Sequence, residues 1–447
     1  MPHPIVIIGD GYAAAVLLVH LARRHIDMNT VTVIGDAPLG HGAAYGTTNP
    51  HFRLNVRDDL MVIDQDQPDD FVNWAKQYQD ADAIADNGAG HFYRRGDFAR
   101  YLAAVLDQHD IKRQITQIAA KAIDIAKENN DLWNISLDND MTISARHVIL
   151  ATGNPPPSAA GLIAEDIRPD IVAKHIISTP WKGDAIDHIP PLAHVGCIGG
   201  GLTALDACLA LYENGHKGRI TLMTPRGILP PPQSAWQDRD IPGFPDHVTA
   251  SGFLRHMRRY LPDSDWTEPA WQSACEALRV QIADGWRRLC EHDRIRLMRR
   301  LGWLWSLIRY RASPQSITAI NHMRSTGQLH IVVDRVRQIA SGKTDHPLLL
   351  HLATYDDIAC DNAIIAAGIG HDPLMARLVK TQIAGTMANG IQVNDDFQLI
   401  APNGHPQHWL WVIGPPTQSA LGDVIGATTI AKQAAGLADQ LAAISLS

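Results

Sequence analysis

Cysteine is scarce in this chain and poorly placed for chemistry. The five residues, Cys197, Cys208, Cys275, Cys290 and Cys360, are scattered and form no C-x-x-C pair. That spacing excludes a redox-active dithiol and a cysteine-based metal site. The 22 histidines show no H-x-x-x-H-like ligand spacing on a convincing helix, so no metal is expected and most read as surface or loop residues. No apolar run approaches the roughly 18–20 residues of a membrane helix. A predicted strand begins at Ile5, which leaves no room for a signal or transit peptide, so a cytoplasmic location is expected. Positive charge is also short: 39 Lys and Arg stand against 47 Asp and Glu, a net charge of −8. That balance argues against nucleic acid or an anionic membrane as the main partner. No Ser-His-Asp arrangement and no paired carboxylates stand out.

Two glycine loops of one kind are present instead. The first is Ile5-Val6-Ile7-Ile8-Gly9-Asp10-Gly11-Tyr12-Ala13-Ala14, and the second is Val195-Gly196-Cys197-Ile198-Gly199-Gly200-Gly201-Leu202-Thr203-Ala204. Each is an apolar strand run, then G-x-G-x-x-A, then an Ala/Leu-rich helical stretch. The first Gly makes the tight turn, the second lets backbone approach a pyrophosphate, and the small third residue lets helix pack on strand. The helix N-terminus then faces the negative charge. One such loop is weak evidence, because glycines also turn strands into helices where no ligand binds. Two in correct context imply two dinucleotides, the pattern of flavoproteins that hold FAD and oxidise NAD(P)H. With two such cofactors the hard chemistry is theirs, and the protein supplies orientation and electrostatics.

At 447 residues the chain predicts two domains. The fold class expected is α/β, a two-dinucleotide-binding, Rossmann-like flavoprotein. Its FAD domain takes residues 1–180 and 355–447. An inserted NAD(P) domain takes 181–354, with a helical elaboration at about 231–327. Strand runs end at Gly153, Gly368 and Gly414, and Gly153 and Gly414 are expected beside the first cofactor. Pro155-Pro156-Pro157 marks a crossing between domains. Residues 39–100 form a long irregular excursion, which is usually functional.

An acid near the end of the second strand is expected to bind the ribose of the first dinucleotide. Position 35 is Gly and Asp36 follows it, so Asp36 is either that acid or merely the start of a loop. The corresponding turn of the second unit is Thr224-Pro225-Arg226-Gly227, without an acid. Arg226 suits a 2′-phosphate, which favours NADPH over NADH, or else is a solvated loop charge. Arg287, Arg288, Arg294, Arg296, Arg299, Arg300, Arg309 and Arg311, interleaved with Trp286, Trp303 and Trp305, suggest a basic patch. The favoured reading is a helix pair that buries its tryptophans and solvates its arginines. An acidic-substrate surface and a nucleic-acid surface are the other readings.

The run Leu39-Gly40-His41-Gly42-Ala43-Ala44-Tyr45-Gly46-Thr47, followed by Leu54-Asn55-Val56, resembles a bacterial family of FAD/NAD(P)-binding proteins. Its members carry a G-x-A-Y-x-T segment and then L-N-V. The resemblance continues through Asp70-Phe71 to Trp74, Phe92 to Leu102, Gly199 to Asp206, Gly215 to Gly218, Arg226 to Pro230, Arg309-Tyr310-Arg311 and Gly414 to Gln433. The family usually has Glu where Gly35 and Asp423 stand, Ser-Arg where Thr224-Pro225 stands, and Gly where Ala99 stands. The layout is more distantly similar to single-component flavin monooxygenases that hydroxylate amines at nitrogen, through Ala151-Thr152-Gly153 and the Arg95 to Tyr101 segment. The resemblance implies Gly9, Gly11 and Ala14 on the FAD pyrophosphate, and Gly199, Gly201, Ala204 and Arg226 on NADPH. It places Asn55 near the isoalloxazine with Tyr45 close by, and Asp423 toward the flavin's pyrimidine or ribityl side. Asn55 has an equal reading as a side chain that satisfies loop backbone.

Three functions compete. The first is an NADPH-dependent monooxygenase that passes oxygen from a flavin C4a-hydroperoxide to a small amine-like substrate, with molecular oxygen as co-substrate. The second is an NAD(P)H:acceptor oxidoreductase, and the third a non-catalytic redox sensor using its Trp/Arg helices. Those helices also offer a surface for a homodimer.

Overall fold

Strand and helix alternate from the start of the chain, as the switching hydrophobic period predicts. In the computed structural model, residues 2–445 are described, apart from 78–79, 129–131, 156, 158, 160, 344, 369 and 388–389. Pro156, in the run read as a crossing, therefore lies outside the described residues. β1 (His3–Ile8) passes through the first glycine loop into α1 (Tyr12–Arg23), and β2 (Val31–Ile34) completes the unit. The excursion holds α2 (Gly42–Tyr45), α3 (Asp70–Lys76), α4 (Arg95–Gln108) and α5 (Ile111–Gln114). Then come β3 (Thr116–Ile118), β4 (Ala122–Lys127), β5 (Trp133–Leu137), β6 (Thr142–Leu150), α6 (Pro169–His175) and β7 (Ile176–Ile177).

The second unit is β8 (Val195–Ile198), α7 (Leu202–Glu213) and β9 (Ile220–Met223). Four helices follow: α8 (Ala250–Tyr260), α9 (Pro269–Arg287), α10 (Glu291–Arg309) and α11 (Pro314–Ser325). β10 (Leu329–Val332), β11 (Val336–Ser341), β12 (Leu348–Leu352), β13 (Ile358–Cys360) and β14 (Asn362–Ile365) return to strand. The chain then runs through α12 (Pro373–Lys380), β15 (Thr386–Met387), β16 (Gly390–Ile391), β17 (Gln398–Ile400), β18 (Pro406–Val412), α13 (Gln418–Leu421) and α14 (Ala427–Ser445).

The first sheet runs β17-β18-β6-β1-β2-β3, with β18, β6, β1, β2 and β3 parallel. Its long strand β6 changes partner along one edge: residues 142–145 pair with β5, and residues 148–150 pair with β18. The second sheet, β10-β9-β8-β14-β7, is parallel throughout. It takes in β7 and β14, which lie on the far sides of the boundaries expected at 181 and 354.

The period of two sorts β1 between two cores. Ile5 and Ile7 pack with α1, α4 and α14 on one face, and Val6 and Ile8 pack on the other with β5, α12 and β17. α1 is apolar nearly all round because it is covered by the sheet on one side and by α14 on the other.

One contact fixes the start of each dinucleotide unit. Gly9 has φ +113°, and a Cβ there would stand 2.4 Å from the carbonyl oxygen of Ala151. Gly199, at φ +119°, has the same relation to Ala366, at 2.3 Å. Both positions exclude any side chain on two counts, conformation and space. Gly9→Ala should therefore lose at least about 1–3 kcal/mol through backbone strain alone. The check is the urea midpoint, which should fall well below that of a Gly153→Ala control: Gly153 also has positive φ, but a Cβ there meets nothing within 4 Å.

Candidate functional site

α1 and α7 begin at Gly11 and Gly201, and neither first turn receives a side-chain cap. α8, α11 and α12 are capped by Thr249, Ser313 and Asp372, whereas α9 and α10, like α1 and α7, start without a side-chain cap. The free N–H groups at the starts of α1 and α7 point out of the strand ends, which is the requirement for binding a pyrophosphate. A Cβ at Gly201 would meet nothing within 4 Å, so that approach is open. Ala14 and Ala204 are both fully buried where helix packs on strand.

The excursion after β2 folds over the first loop. Gly40 donates its amide to the Asp10 carbonyl at 2.8 Å. Gly42, at φ +45°, lies so close that a Cβ would stand 2.8 Å from the Gly11 α-carbon. Tyr45 is then set against Tyr12 and Phe98, at centroid distances of 5.6 and 4.8 Å, and burial pushes its hydroxyl up to about 12. Thirteen positions further on, the same excursion touches the second unit. Asn55 is buried; its side-chain oxygen accepts the Ser313 amide at 3.0 Å, and its amide nitrogen faces Asp206 of α7 at 3.4 Å. Arg95 of α4 donates to the same carboxylate at 2.8 Å. Burial raises the Asp206 pKa, while Arg95 and Asn55 oppose the shift. Residues 42–55 thus span from one glycine loop to the helix of the other.

At the first strand end two carboxylates lie near the turn, those of Asp36 and Asp10. Asp36 is exposed and pairs with Lys121 at 3.3 Å. The carboxylate beside Gly35 belongs to Asp10, whose Oδ2 accepts the Ala37 amide at 2.6 Å. A Cβ on Gly35 would meet that oxygen at 2.4 Å, so an acid at position 35 and Asp10 exclude each other. Burial raises the Asp10 pKa, partly offset by the Ala37 hydrogen bond. The second loop has the reverse arrangement: Gly200 stands in the middle, and a Cβ on it would meet Thr224 Oγ1 at 2.7 Å. Sequence reasoning passed over Asp10, although the signal was there: a charged residue inside a glycine loop, paired with a glycine at the strand end. Arg226 is exposed, with its guanidinium 4.2 Å above the Trp303 ring.

At the third strand run, Gly153 has φ +70°. Gly414, at φ +79°, donates its amide to Gln433 at 2.8 Å, which ties the end of β18 to α14.

Asp423 lies between α13 and α14 and turns toward the helical elaboration. Its Oδ2 accepts from Arg279 Nε at 2.9 Å and Arg309 Nε at 2.6 Å. Arg279 also meets Glu276 at 2.7 Å, and Arg311 lies 2.8 Å from the other Glu276 oxygen. Arg309 and Arg311 are buried, whereas Trp303 is 38% exposed. The reading of solvated arginines and buried tryptophans is therefore corrected at these positions. The acid on Arg309 is Asp423, from a distant part of the chain, that on Arg311 is Glu276 of the neighbouring helix α9, and Trp303 is the platform for Arg226. Charge attraction outweighs desolvation, so the carboxyls of Asp423 and Glu276 are both held below the usual range.

Residues 6–155 match a family model described as FAD-NAD(P)-binding. Among curated proteins no sequence matches. Solved structures align over nearly the whole chain. The ornithine hydroxylase of Pseudomonas aeruginosa, in its reduced form, is 14% identical with a TM-score of 0.66, and 99% of each chain is covered. The ornithine N-hydroxylase of Kutzneria sp. 744, with reduced FAD, NADP+ and L-ornithine, is 14% identical at a TM-score of 0.62, with 100% of each chain covered. The bacillithiol disulfide reductase of Staphylococcus aureus is 13% identical at 0.59, with 99% of each covered. At these identities the likeness establishes the fold, which is that of the two-dinucleotide-binding flavoprotein oxidoreductases.

The buried ion network generates a stability test. Arg309→Met strips Asp423 of one of its two partners and should cost about 3–5 kcal/mol at neutral pH. Because the folded-state pKa values of Asp423 and Glu276 lie below their unfolded values, their stabilisation is complete above about pH 5 and is lost as pH falls through the folded values. Urea midpoints of wild type and variant should therefore converge only as pH falls through those folded values, below the ordinary carboxylate range. A gap that stays constant across that range would contradict the assignment.

Proposed function

We propose that this chain is an FAD-dependent, NAD(P)H-oxidising oxidoreductase, and within that class a monooxygenase acting on a small nucleophilic, amine-like substrate. The observation that carries the reading is the span of residues 42–55. Gly42 lies on the first glycine loop and Asn55 on the helix that follows the second, so one short segment touches both units. Two uncapped helix N-termini and two glycine positions that a Cβ would fill fit FAD at the first loop and NADPH at the second. FAD, when bound, supplies hydride acceptance and the activation of oxygen.

The protein's own residues position and shield. Gly9, Gly11 and Ala14 admit the first pyrophosphate, and Asp10 takes the ribose-binding part that Asp36 was expected to play. Gly199, Gly201 and Ala204 admit the second pyrophosphate. Arg226, held flat on Trp303, offers a planar fork to a 2′-phosphate. Arg95 and Asn55 both donate to Asp206 and hold its carboxyl group at the junction. Tyr45, Tyr12 and Phe98 wall the first loop with aromatic surface and limit the entry of water. Gly153, Gly414 and Asp423 complete the set of residues expected along the first cofactor. Asp423 acts there through its neighbours, since its carboxylate is turned to Arg279 and Arg309. Arg309 and Arg311, two of the arginines open to the sensor reading, are buried.

The test is anaerobic reduction of the flavin-loaded protein by NADPH, followed by mixing with O2 in a stopped-flow spectrometer. A transient absorbance that belongs to neither oxidised nor reduced flavin, persisting for seconds, is expected. Direct return to oxidised flavin assigns the acceptor-oxidoreductase chemistry instead, and failure of both NADPH and NADH to reduce the flavin removes both enzyme readings.

Two substitutions separate the sites. Asp10→Ala should weaken FAD retention about tenfold, the loss of one charged hydrogen bond, while Asp36→Ala leaves it unchanged. Arg226→Gln should raise the KM for NADPH about tenfold and leave that for NADH within a factor of two. Flavin content after gel filtration and steady-state kinetics with each nucleotide read the two effects.

A further inference from the structure

α7 and α11 pack side by side, and each ends in the same kind of turn before feeding a strand of the second sheet. Gly215, at φ +75°, follows α7, and Gly327, at φ +73°, follows α11. In the first turn the amides of Gly215 and His216 donate to the Tyr212 and Leu211 carbonyls. In the second, those of Gly327 and Gln328 donate to Arg324 and Met323. Both are Schellman closures, in which the last carbonyls of a helix are satisfied from within. Gln328 then stitches the two turns together. Its carbonyl accepts the Ile220 amide at 2.9 Å, and its side-chain amide donates to the His216 carbonyl at 2.7 Å and to that of Gly218 at 3.2 Å.

These stitched turns frame a cleft of about 470 Å3 at the amino ends of β9 and β10, the end of the sheet opposite to the second glycine loop. Lys217 and Arg219 line it from the chain after α7, and His322, Thr326, Gln328 and His330 from the chain around the end of α11. His322 is held against Tyr212, with ring centroids 5.5 Å apart. Among the described residues, no carboxylate and no large apolar side chain lines the cleft.

The charge of this frame is not explained by its surroundings. Arg24, Arg57 and Arg377, at the surface elsewhere, each meet an acid: Asp439, Asp59 and Asp124. Lys217 and Arg219 meet none among the described residues, in a chain where acids outnumber Lys and Arg by 47 to 39. Cations often serve to complement the carbonyls at a helix end, but here the Schellman closures already meet those carbonyls. Like charges gathered on a fixed frame repel one another, and an anion entering the cleft relieves that repulsion.

The lining also selects the kind of anion. An arginine fork beside a lysine point charge suits phosphate oxygens, and the two imidazoles add ring nitrogens. No Phe, Tyr or Trp lines the cleft to stack on bases, and no apolar wall is present to seat an acyl chain or an apolar peptide face. We propose that this cleft binds a compact, soluble polyanion of the phosphate class, a pyrophosphate or small phosphate ester, apart from both dinucleotide sites. The site goes beyond the oxygen-transfer reading and does not depend on it, because its occupancy is measured without reducing the flavin.

The experiment is isothermal titration of the full-length, flavin-loaded protein with inorganic pyrophosphate and, separately, with citrate. A saturable pyrophosphate component is expected that Lys217→Gln and Arg219→Gln each weaken at least about tenfold, the loss of one charged hydrogen bond. Arg324→Gln makes the same change of charge on α11 outside the cleft and should shift that component less than about twofold. Melting temperature and flavin content should hold in all three variants, since each side chain is exposed. Absence of saturable pyrophosphate binding, or survival of all of it in both cleft variants, would overturn the proposal. So would an equal loss in Arg324→Gln, which marks a response to net charge alone, or citrate binding as tight as pyrophosphate. Sedimentation with phosphatidic acid vesicles, without pyrophosphate binding, would assign the cleft to a lipid surface and overturn it as well.

Discussion

Twice in this molecule a glycine α-carbon is pressed against the carbonyl that ends a neighbouring strand: Gly9 against Ala151, and Gly199 against Ala366. The approach is too close for any Cβ, and the positive φ at each site admits glycine without strain. These contacts decide which strands are neighbours at the point of the turn, β1 beside β6 and β8 beside β14. α1 and α7 start directly after these turns, at the carboxyl ends of β1 and β8. Everything placed at those ends inherits its position from two backbone contacts, including the span from Gly42 to Asn55 and the turns that carry Asp10 and Arg226.

The helical elaboration obeys a different constraint. Its arginines are numerous, and a surface of solvated guanidiniums is the simplest reading of their spacing. The structure buries Arg309 and Arg311 instead, because Asp423 from outside the elaboration and Glu276 from the neighbouring helix α9 meet them. Removing charges from water is costly, and the cost is met only where geometry is good and partners are complete. Here two acids serve three arginines, with both arginines that reach Asp423 on the same oxygen, and Asp423 Oδ1 and Arg311 Nε are left without a hydrogen-bond partner among the described residues. The network locks the end of α10 to the turn before α14, so the helices are registered against the first sheet's own C-terminal helix.

Much of the fold was legible in the sequence, because its cues are local. β2 was read at the residues where it is found, and the glycine loops, the helices after them and the strand runs ending at Gly153 and Gly414 stand where the pattern put them. What was not legible depends on residues that meet across long separations. Arg309 and Asp423 are 114 positions apart, Asn55 and Ser313 are 258 apart, and periodicity carries no information at that range. The membership of β14 in the second sheet escaped for the same reason: a four-residue apolar run fits either parallel sheet equally until its partner is known. Asp10 escaped for a different one. Its residue type was visible, but its hydrogen bond to the Ala37 amide follows only from the direction of a side chain in a turn where glycine is the usual occupant.

The two loops show how a single steric rule can set two electrostatic outcomes. In each, the middle residue of G-x-G and the first residue after the next strand compete for one volume: Asp10 against Gly35, and Gly200 against Thr224. Only one of each pair can carry a side chain of any size. At the first site the volume is given to the loop residue, and a carboxylate results, anchored on the Ala37 amide. At the second it is given to the strand end, and a neutral hydroxyl results, with Arg226 two residues further on. On the proposed reading, the carboxylate faces ribose hydroxyls and would repel a 2′-phosphate, whereas the hydroxyl and arginine accept one. The exchange of one glycine between two neighbouring positions is then sufficient to make otherwise similar turns prefer different dinucleotides.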